Sequence, residues 1–270
     1  TVHYVAPSVW AWRPGRAAEM AQYIDHVLAL LPFEPPYMEA AGMTCDFVGH
    51  PIAERPPVPG EAMAAFRERH GLGDRPVLLV APGSRRGEVA RHAPVFAETV
   101  RRLAASRPRL TPVIPVAETV VEEVAAAFPD ALRLGPESGE AERAAAAAAA
   151  DAALVKSGTI TLEMAAVGTP QVAAYRTSWL SALIARRLLR IDTANLVNLA
   201  VGWDSGARPV PEFYQEDCTP DALAEALAPL LDGAPAHAAQ VAAAREALAR
   251  LGRGGEAPSH RAARSVLARL

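Results

Sequence analysis

The chain has 270 residues, 51% hydrophobic and 21% charged. That is enough apolar side chain for one large or two ordinary cores, and too much for a disordered segment. A formal net charge of -3 and an isoelectric point near 6.2 give no basic footprint and argue against a nucleic-acid-binding surface. Cys45 and Cys218, the only cysteines, have no ligand-like spacing, so no zinc site or disulfide framework follows and a reducing cytosol is the plain reading. No apolar run reaches the roughly 18 to 20 residues of a membrane span, and none reads as a signal peptide.

Residue 1 is Thr, and Val2 to Ala6 already reads as the middle of a strand, so the chain is expected to lack its true N-terminus. A βα rhythm follows. A loop with Trp10 and Trp12 leads to a helix over Arg16–Tyr23 and a strand over His26–Leu31. The stretch opening at Pro32-Phe33-Glu34-Pro35-Pro36 forms a helix to Ala41, and Cys45–Val48 is a third strand. Three strands are few for a doubly wound domain, so residues 1–54 read as the remnant of one. Arg55-Pro56-Pro57-Val58-Pro59-Gly60 is the linker candidate, since three prolines and a glycine continue neither a helix nor a central strand.

After a helix over Glu61–His70 a second alternation begins. Strands are expected at Val77–Ala81, Thr111–Val116, Ala131–Leu134, Ala152–Val155 and Gln171–Ala174. Helices lie between them at His92–Ala105, Glu118–Phe128, Glu140–Ala150 and Thr159–Val167. Strands alternating with helices of this length mean βαβ units, a parallel sheet and functional loops at one sheet edge. Ser178–Arg190 is read as a helix packed on the core through Leu180, Leu183, Ile184 and Leu188, with a solvated basic end; a membrane or partner surface is the alternative. Helices at Pro220–Leu231, His237–Leu251 and Ser259–Leu270 carry no nameable chemistry and read as packing elements.

Two loops carry the chemistry. Ala81-Pro82-Gly83-Ser84-Arg85-Arg86-Gly87-Glu88 follows the strand Val77–Val80, and Lys156-Ser157-Gly158-Thr159 follows Ala152–Val155. Each is a buried strand, a tight glycine loop and a helix start, the place where open α/β sheets bind ligands. Free N–H groups and the helix dipole there favour an anion, and Arg85 adds a planar fork of donors suited to phosphate oxygens. Neither loop is a G-x-x-x-x-G-K-[ST] or a G-x-G-x-x-G motif. The bland alternative is two ordinary strand-to-helix turns. Together they read as a site for a phosphate-bearing ligand. Lys156, the only lysine, either strengthens that site or points into solvent. His50, between Gly49 and Pro51, reads as a hydrogen-bonded hinge residue rather than a base, and His3 and His92 read as surface or core residues.

An ordered set of segments resembles the lipid-A-disaccharide synthase family. It begins at Ser8-Val9-Trp10-Ala11-Trp12-Arg13 and continues at Leu31-Pro32-Phe33-Glu34, Phe47-Val48-Gly49-His50-Pro51 and Pro82-Gly83-Ser84-Arg85. It runs on through Ser157-Gly158-Thr159 with Leu162-Glu163, Gly168-Thr169-Pro170 and Ala174-Tyr175-Arg176. It closes at Asn198-Leu199 and Pro211-Glu212-Phe213-Tyr214-Gln215-Glu216-Asp217-Cys218.

The resemblance implies an α/β fold of GT-B type: two Rossmann-like domains, the N-terminal one incomplete and the C-terminal one complete. The expected division is a remnant of the acceptor-side domain at 1–54, a UDP-sugar domain at 55–235, and helices at 236–270 that pack back on the N-terminal domain or on a partner subunit. It implies an inverting hexosyltransferase of lipid A biosynthesis that joins UDP-2,3-diacylglucosamine to 2,3-diacylglucosamine 1-phosphate (lipid X), giving the β-1,6 disaccharide phosphate and UDP. No cofactor, no metal and no nucleic-acid partner are expected. The protein would be cytoplasmic and peripheral at the inner face of the cytoplasmic membrane, and a homodimer is plausible.

Arg85 would neutralise the departing diphosphate, with Gly83 and Ser84 beside it and Ser157, Gly158 and Thr159 as a second cradle. Glu163, four residues after Thr159, faces the same side of its helix and would take the ribose hydroxyls. Asn198, Glu212, Gln215 and Glu216 are further donor-side or cleft candidates. Lys156 stands where the family usually has Ala, and Val197 where Pro is common. The general base and the acceptor loop are expected upstream of residue 1, so the chain is expected to be inactive alone. Within the same fold, a UDP-sugar 2-epimerase or another UDP-GlcNAc transferase is the alternative; from another class, a UDP-binding or dimerising module without turnover.

Overall fold

The computed structural model describes residues 1–270, apart from the side chains of Leu180, Ile184, Ala185 and Arg186. The first unit is β1 (Val2–Tyr4), α1 (Gly15–Met20), β2 (His26–Ala29), α2 (Pro35–Glu39) and β3 (Thr44–Phe47), forming a parallel sheet in the order β1-β2-β3. Its central strand is wholly buried, whereas β1 is exposed along its length. A short 3₁₀ turn at Pro51–Glu54 and the Pro-rich segment lead to α3 (Gly60–Arg69).

The second unit opens with β4 (Val77–Ala81), α4 (Arg86–Ser106), β5 (Thr111–Pro115), α5 (Val121–Ala127) and β6 (Leu132–Leu134). It continues with α6 (Glu140–Ala148), β7 (Ala152–Lys156), α7 (Ile160–Val167), β8 (Gln171–Tyr175), α8 (Trp179–Leu188), α9 (Leu196–Gly202) and β9 (Glu212–Tyr214). All six strands are parallel, in the order β6-β5-β4-β7-β8-β9. Counted from β4 this is 3-2-1-4-5-6, the doubly wound Rossmann order. α10 (Pro220–Leu231), α11 (Pro235–Arg250) and α12 (Pro258–Leu267) complete the chain.

The near-continuous apolar strands follow from burial on both faces. Leu78, Val80, Ile114, Leu154 and Val172 point to one side, where Val89 and Phe96 of α4, Val124 of α5 and Leu223 and Leu227 of α10 cover them. Val77, Leu79, Val113, Ala153 and Val155 point to the other, under Ala145–Ala147 of α6, Leu162 and Met164 of α7, Leu199 of α9 and Leu248 of α11. The all-alanine stretch of α6 keeps that helix thin against the sheet.

The C-terminal chain returns to the first sheet. The Leu251 carbonyl accepts from the His50 N–H at 3.0 Å, and Ser259 of α12 donates its hydroxyl to Glu54 at 3.1 Å. Ser265 stands 2.9 Å from Nε2 of the buried His26 and donates to Asp46 at 2.6 Å. A second seam is aromatic: Phe33 stacks on Trp203 at 3.7 Å, and Trp10 meets both edge-on at 5.2 and 5.5 Å. Trp10 Nε1 donates to the buried Glu34 at 3.2 Å. The Ser8–Arg13 and Leu31–Glu34 segments are thereby joined to residues just past α9.

Several expectations need correction. α4 begins at Arg86, six residues before the expected His92, because the loop feeds directly into the helix; Pro94 sits within it on an exposed face. β9 and α9 were not anticipated. On α8, Leu183 and Leu188 are 40% and 50% exposed, so they do not pack on the core; Leu180 and Ile184 of the same expected face lie outside the described side chains.

Candidate functional site

In the 3-2-1-4-5-6 order, β4 and β7 are neighbours whose following helices leave for opposite faces: α4 to one side, α7 to the other. Their carboxyl ends therefore diverge and open a crevice at the topological switch point. A cavity of about 670 Å³ fills it, within the size range of small-ligand sites.

The β4–α4 loop turns on Gly83, with φ +128°. A side chain there would also collide with Glu88, whose Cβ and Oε2 lie 2.6 and 2.7 Å from where a Cβ would stand. The Ser84 N–H donates to Glu88 Oε2 at 3.2 Å, and the Ser84 carbonyl accepts from Thr119 at 2.8 Å. Arg85, the residue before α4, has an 85% exposed side chain that pairs with Glu88 at 3.7 Å. The β7–α7 loop turns on Gly158, φ +151°, and its carbonyl accepts from the Thr161 hydroxyl at 2.7 Å.

Lys156, at the end of β7, bridges the loops. Its Nζ is 3.3 Å from Glu88 Oε1 and 5.5 Å from the centre of the Tyr175 ring. Burial by itself would raise the Glu88 carboxyl, but Lys156, the Ser84 N–H and Arg85 together outweigh it and hold the group below its ordinary value. Behind the loop, the buried His92 donates from Nδ1 to the Glu88 carbonyl at 2.8 Å and accepts the Arg176 N–H on Nε2 at 2.9 Å. Both ring nitrogens are occupied as a neutral imidazole requires, and burial pushes its pKa down.

The cavity brings together Gly83, Ser84, Arg85, Gly158, Thr159 and Glu163. Glu163 is half-buried at its wall and has no hydrogen-bond or ion-pair partner among the described residues. The other candidates lie elsewhere. Ser157 is buried and donates to Glu212 at 2.8 Å; the second Glu212 oxygen accepts from Thr193 at 2.6 Å. Asn198 is buried, and its side-chain amide exchanges two hydrogen bonds with the Val210 backbone at 2.9 and 3.0 Å. Gln215 accepts from the Thr177 N–H at 2.9 Å and, with Glu216, borders a second hollow of about 350 Å³ beside Arg176, Trp179 and Leu183.

Two cavity residues escaped the sequence reading. Arg143 of α6 donates to the Gly135 carbonyl at 2.9 Å, while its buried Nε has no partner among the described residues. Arg55, from the Pro-rich segment, reaches the same cavity. A signal existed for Arg143, the only cation in the otherwise Glu/Ala helix α6. His50 accepts the Ile52 N–H at 3.1 Å and so caps the 3₁₀ turn after β3, and His3 is exposed.

Comparison with known proteins adds the identity of the family. The lipid-A-disaccharide synthetase family model matches residues 1–265. A lipid-A-disaccharide synthase of Ruegeria pomeroyi is 53% identical, over all of this chain and 68% of its own length. The chain spans about two thirds of the length of the curated relatives it matches. Among solved structures, Anabaena HepE in complex with UDP-glucose superposes on 100% of this chain and 72% of its own, with a TM-score of 0.55 and 14% identity. A UDP-N-acetylglucosamine 2-epimerase homologue from Listeria monocytogenes covers 81% of this chain and 54% of its own, with a TM-score of 0.54 and 14% identity. At such identities the structural likeness establishes the α/β GT-B fold and does not separate a glycosyltransferase from an epimerase. The sequence match decides between them: the chain belongs to the lipid-A-disaccharide synthetase family, glycosyltransferases of lipid A biosynthesis.

Proposed function

We propose that the cavity between the β4 and β7 loops holds the nucleoside diphosphate of UDP-2,3-diacylglucosamine, and that the chain serves transfer of that sugar to lipid X. The observation that supports this most is the convergence of two helix starts, Arg85 and the unpartnered Glu163 on one cavity at the switch point. In the reaction the acceptor 6-hydroxyl attacks the anomeric carbon as the C1–O bond to the diphosphate breaks; the electron pair leaves with UDP, and the hydroxyl proton passes to solvent. Negative charge grows on that diphosphate. Arg85 and the N–H groups of the Ser84 and Thr159 loops stabilise it from fixed positions. Glu163 accepts hydrogen bonds from the ribose hydroxyls.

Ser157, Glu212 and Asn198 act behind the site in this reading, since their polar atoms already bind Thr193 and Val210. Residues 1–54, 55–235 and 236–270 correspond to the acceptor-side remnant, the donor domain and the returning helices. We also place the protein at the inner face of the cytoplasmic membrane, supported by the exposed Trp179 and Leu183 of α8 beside exposed Arg187 and Arg190; a homodimer is expected on the family resemblance.

The direct test incubates the protein with UDP-diacylglucosamine and lipid X and looks for disaccharide phosphate and UDP. UDP binding without product favours the second reading, a donor-binding module, which the two-thirds coverage of the relatives keeps in view. Conversion of UDP-GlcNAc to its 2-epimer would sink the transferase reading.

A further inference from the structure

One carboxylate inside the cavity already has the partners of a bound phosphate oxygen. Glu88 lies in the first turn of α4, and its side chain folds back over the Gly83–Ser84 backbone. Oε2 accepts the Ser84 N–H at 3.2 Å. Oε1 is 3.3 Å from Lys156 Nζ and 3.7 Å from Arg85 Nη1. A loop N–H, an ammonium and a guanidinium are the donors that would meet a phosphate at this helix start.

The geometry points to a handover: we propose that Lys156 is a ligand of the donor diphosphate, and that Glu88 is an internal anion that holds Lys156 and the Ser84 N–H until the diphosphate displaces it. This rests on reading the cavity as the nucleoside-diphosphate site.

Three observations shape the proposal. Two anions cannot share one set of donors, so the carboxylate must leave when a diphosphate enters. The movement is confined to the side chain, because His92 pins the Glu88 carbonyl and is itself held by the Arg176 N–H. Lys156 carries its charge on a flexible four-carbon stem and already lines the cavity, so it can exchange a carboxylate for a phosphate without backbone change. In the free protein the arrangement also keeps Lys156 and Arg85 from facing each other unneutralised.

The opposite expectation is an ion pair whose only purpose is to tie the two loops together. The two differ in sign. If Glu88 competes with the ligand, removing its charge tightens binding; if it only ties the loops, removing it loosens the site and weakens binding.

The experiment titrates UDP by calorimetry into the chain and into Glu88→Gln, Lys156→Met and the double variant, with melting temperatures recorded for each. Glu88→Gln, which can still accept the Ser84 N–H, is expected to raise UDP affinity about three- to tenfold. Lys156→Met is expected to lower it about tenfold or more, as for a lost charge-assisted hydrogen bond. In the double variant the gain from Glu88→Gln is expected to vanish. Because Lys156 is the only lysine, acetic anhydride labelling read by mass spectrometry follows it in the unaltered chain, independent of any variant's folding. UDP is expected to protect it and uridine is not.

Weaker UDP binding in Glu88→Gln, or unchanged binding in Lys156→Met, overturns the handover. Equal Lys156 labelling with and without UDP, in a chain that demonstrably binds UDP, overturns it while leaving the nucleotide site standing. No UDP binding by the unaltered chain overturns the site and the handover together.

Discussion

Replacing Asn198 with alanine is expected to cost stability rather than donor contacts. Asn198 Oδ1 accepts the Val210 N–H at 2.9 Å and its Nδ2 donates to the Val210 carbonyl at 3.0 Å, so the side chain mimics a strand neighbour for the residues leading into β9. Val210 is 3% exposed, so water does not replace the lost amide. Each backbone group stranded in this way costs about 1–3 kcal/mol. Two of them give about 2–6 kcal/mol, at the upper end for a single substitution. Urea unfolding is expected to show a lower midpoint at nearly unchanged slope, and hydrogen exchange to show faster opening of residues 210–214. UDP affinity, measured where the variant remains folded, is expected to change less than threefold. An unchanged urea midpoint together with tenfold weaker UDP binding would refute this reasoning and make Asn198 a direct donor ligand.

Three further outcomes are expected. Glu163→Ala is expected to bind UDP and 2′-deoxy-UDP equally, while the unaltered chain prefers UDP; an equal preference before and after substitution would take the ribose away from Glu163. Burial holds the pKa of His26, His50 and His92 below the ordinary histidine value, so the unfolded chain takes up protons first on acidification. Stability from these groups is complete above about pH 6.5 and falls below it, by up to about 1.4 kcal/mol per pH unit for each proton; a flat melting temperature between pH 7 and 5 would contradict this. Trp179→Ser is expected to reduce co-sedimentation with phosphatidylglycerol vesicles without altering UDP binding, and unaltered sedimentation would remove α8 from any membrane contact.

Much of the second sheet was legible because its strands are buried on both faces and appear as uninterrupted Val, Leu and Ala runs. The loops after β4 and β7 stood out because a glycine, Gly83 or Gly158, stands two residues past the end of each run. β9 was hidden for the converse reasons: three residues, a proline just before it at Pro211, and partly exposed side chains. α9 is a seven-residue helix inside a stretch read as a motif, although Asn195 marks its start by accepting the Val197 and Asn198 N–H groups. That cap is a readable signal.

For the site, residue type indicated chemistry but not direction. Ser157 and Thr159 flank the same glycine, yet Ser157 turns inward to Glu212 while Thr159 lines the cavity. Whether Lys156 faced solvent or the site depended on Glu88 of α4 and Tyr175 of β8, both remote from it in sequence. Likewise the Trp10 and Phe33 segments and Trp203 form one packed seam across distant parts of the chain, a relation that no local pattern carries.

Calorimetric titration of UDP, with CMP and GDP as controls, tests the central claim most directly. The donor-site reading predicts selective UDP binding that Arg85→Ala weakens about ten- to a hundredfold, the scale of a hydrogen bond to a charged group. Arg85 is 85% exposed and its Glu88 pair is a surface one, so the same variant is expected to keep its melting temperature. UDP binding that ignores Arg85, or a chain that binds CMP and GDP as readily as UDP, would contradict it.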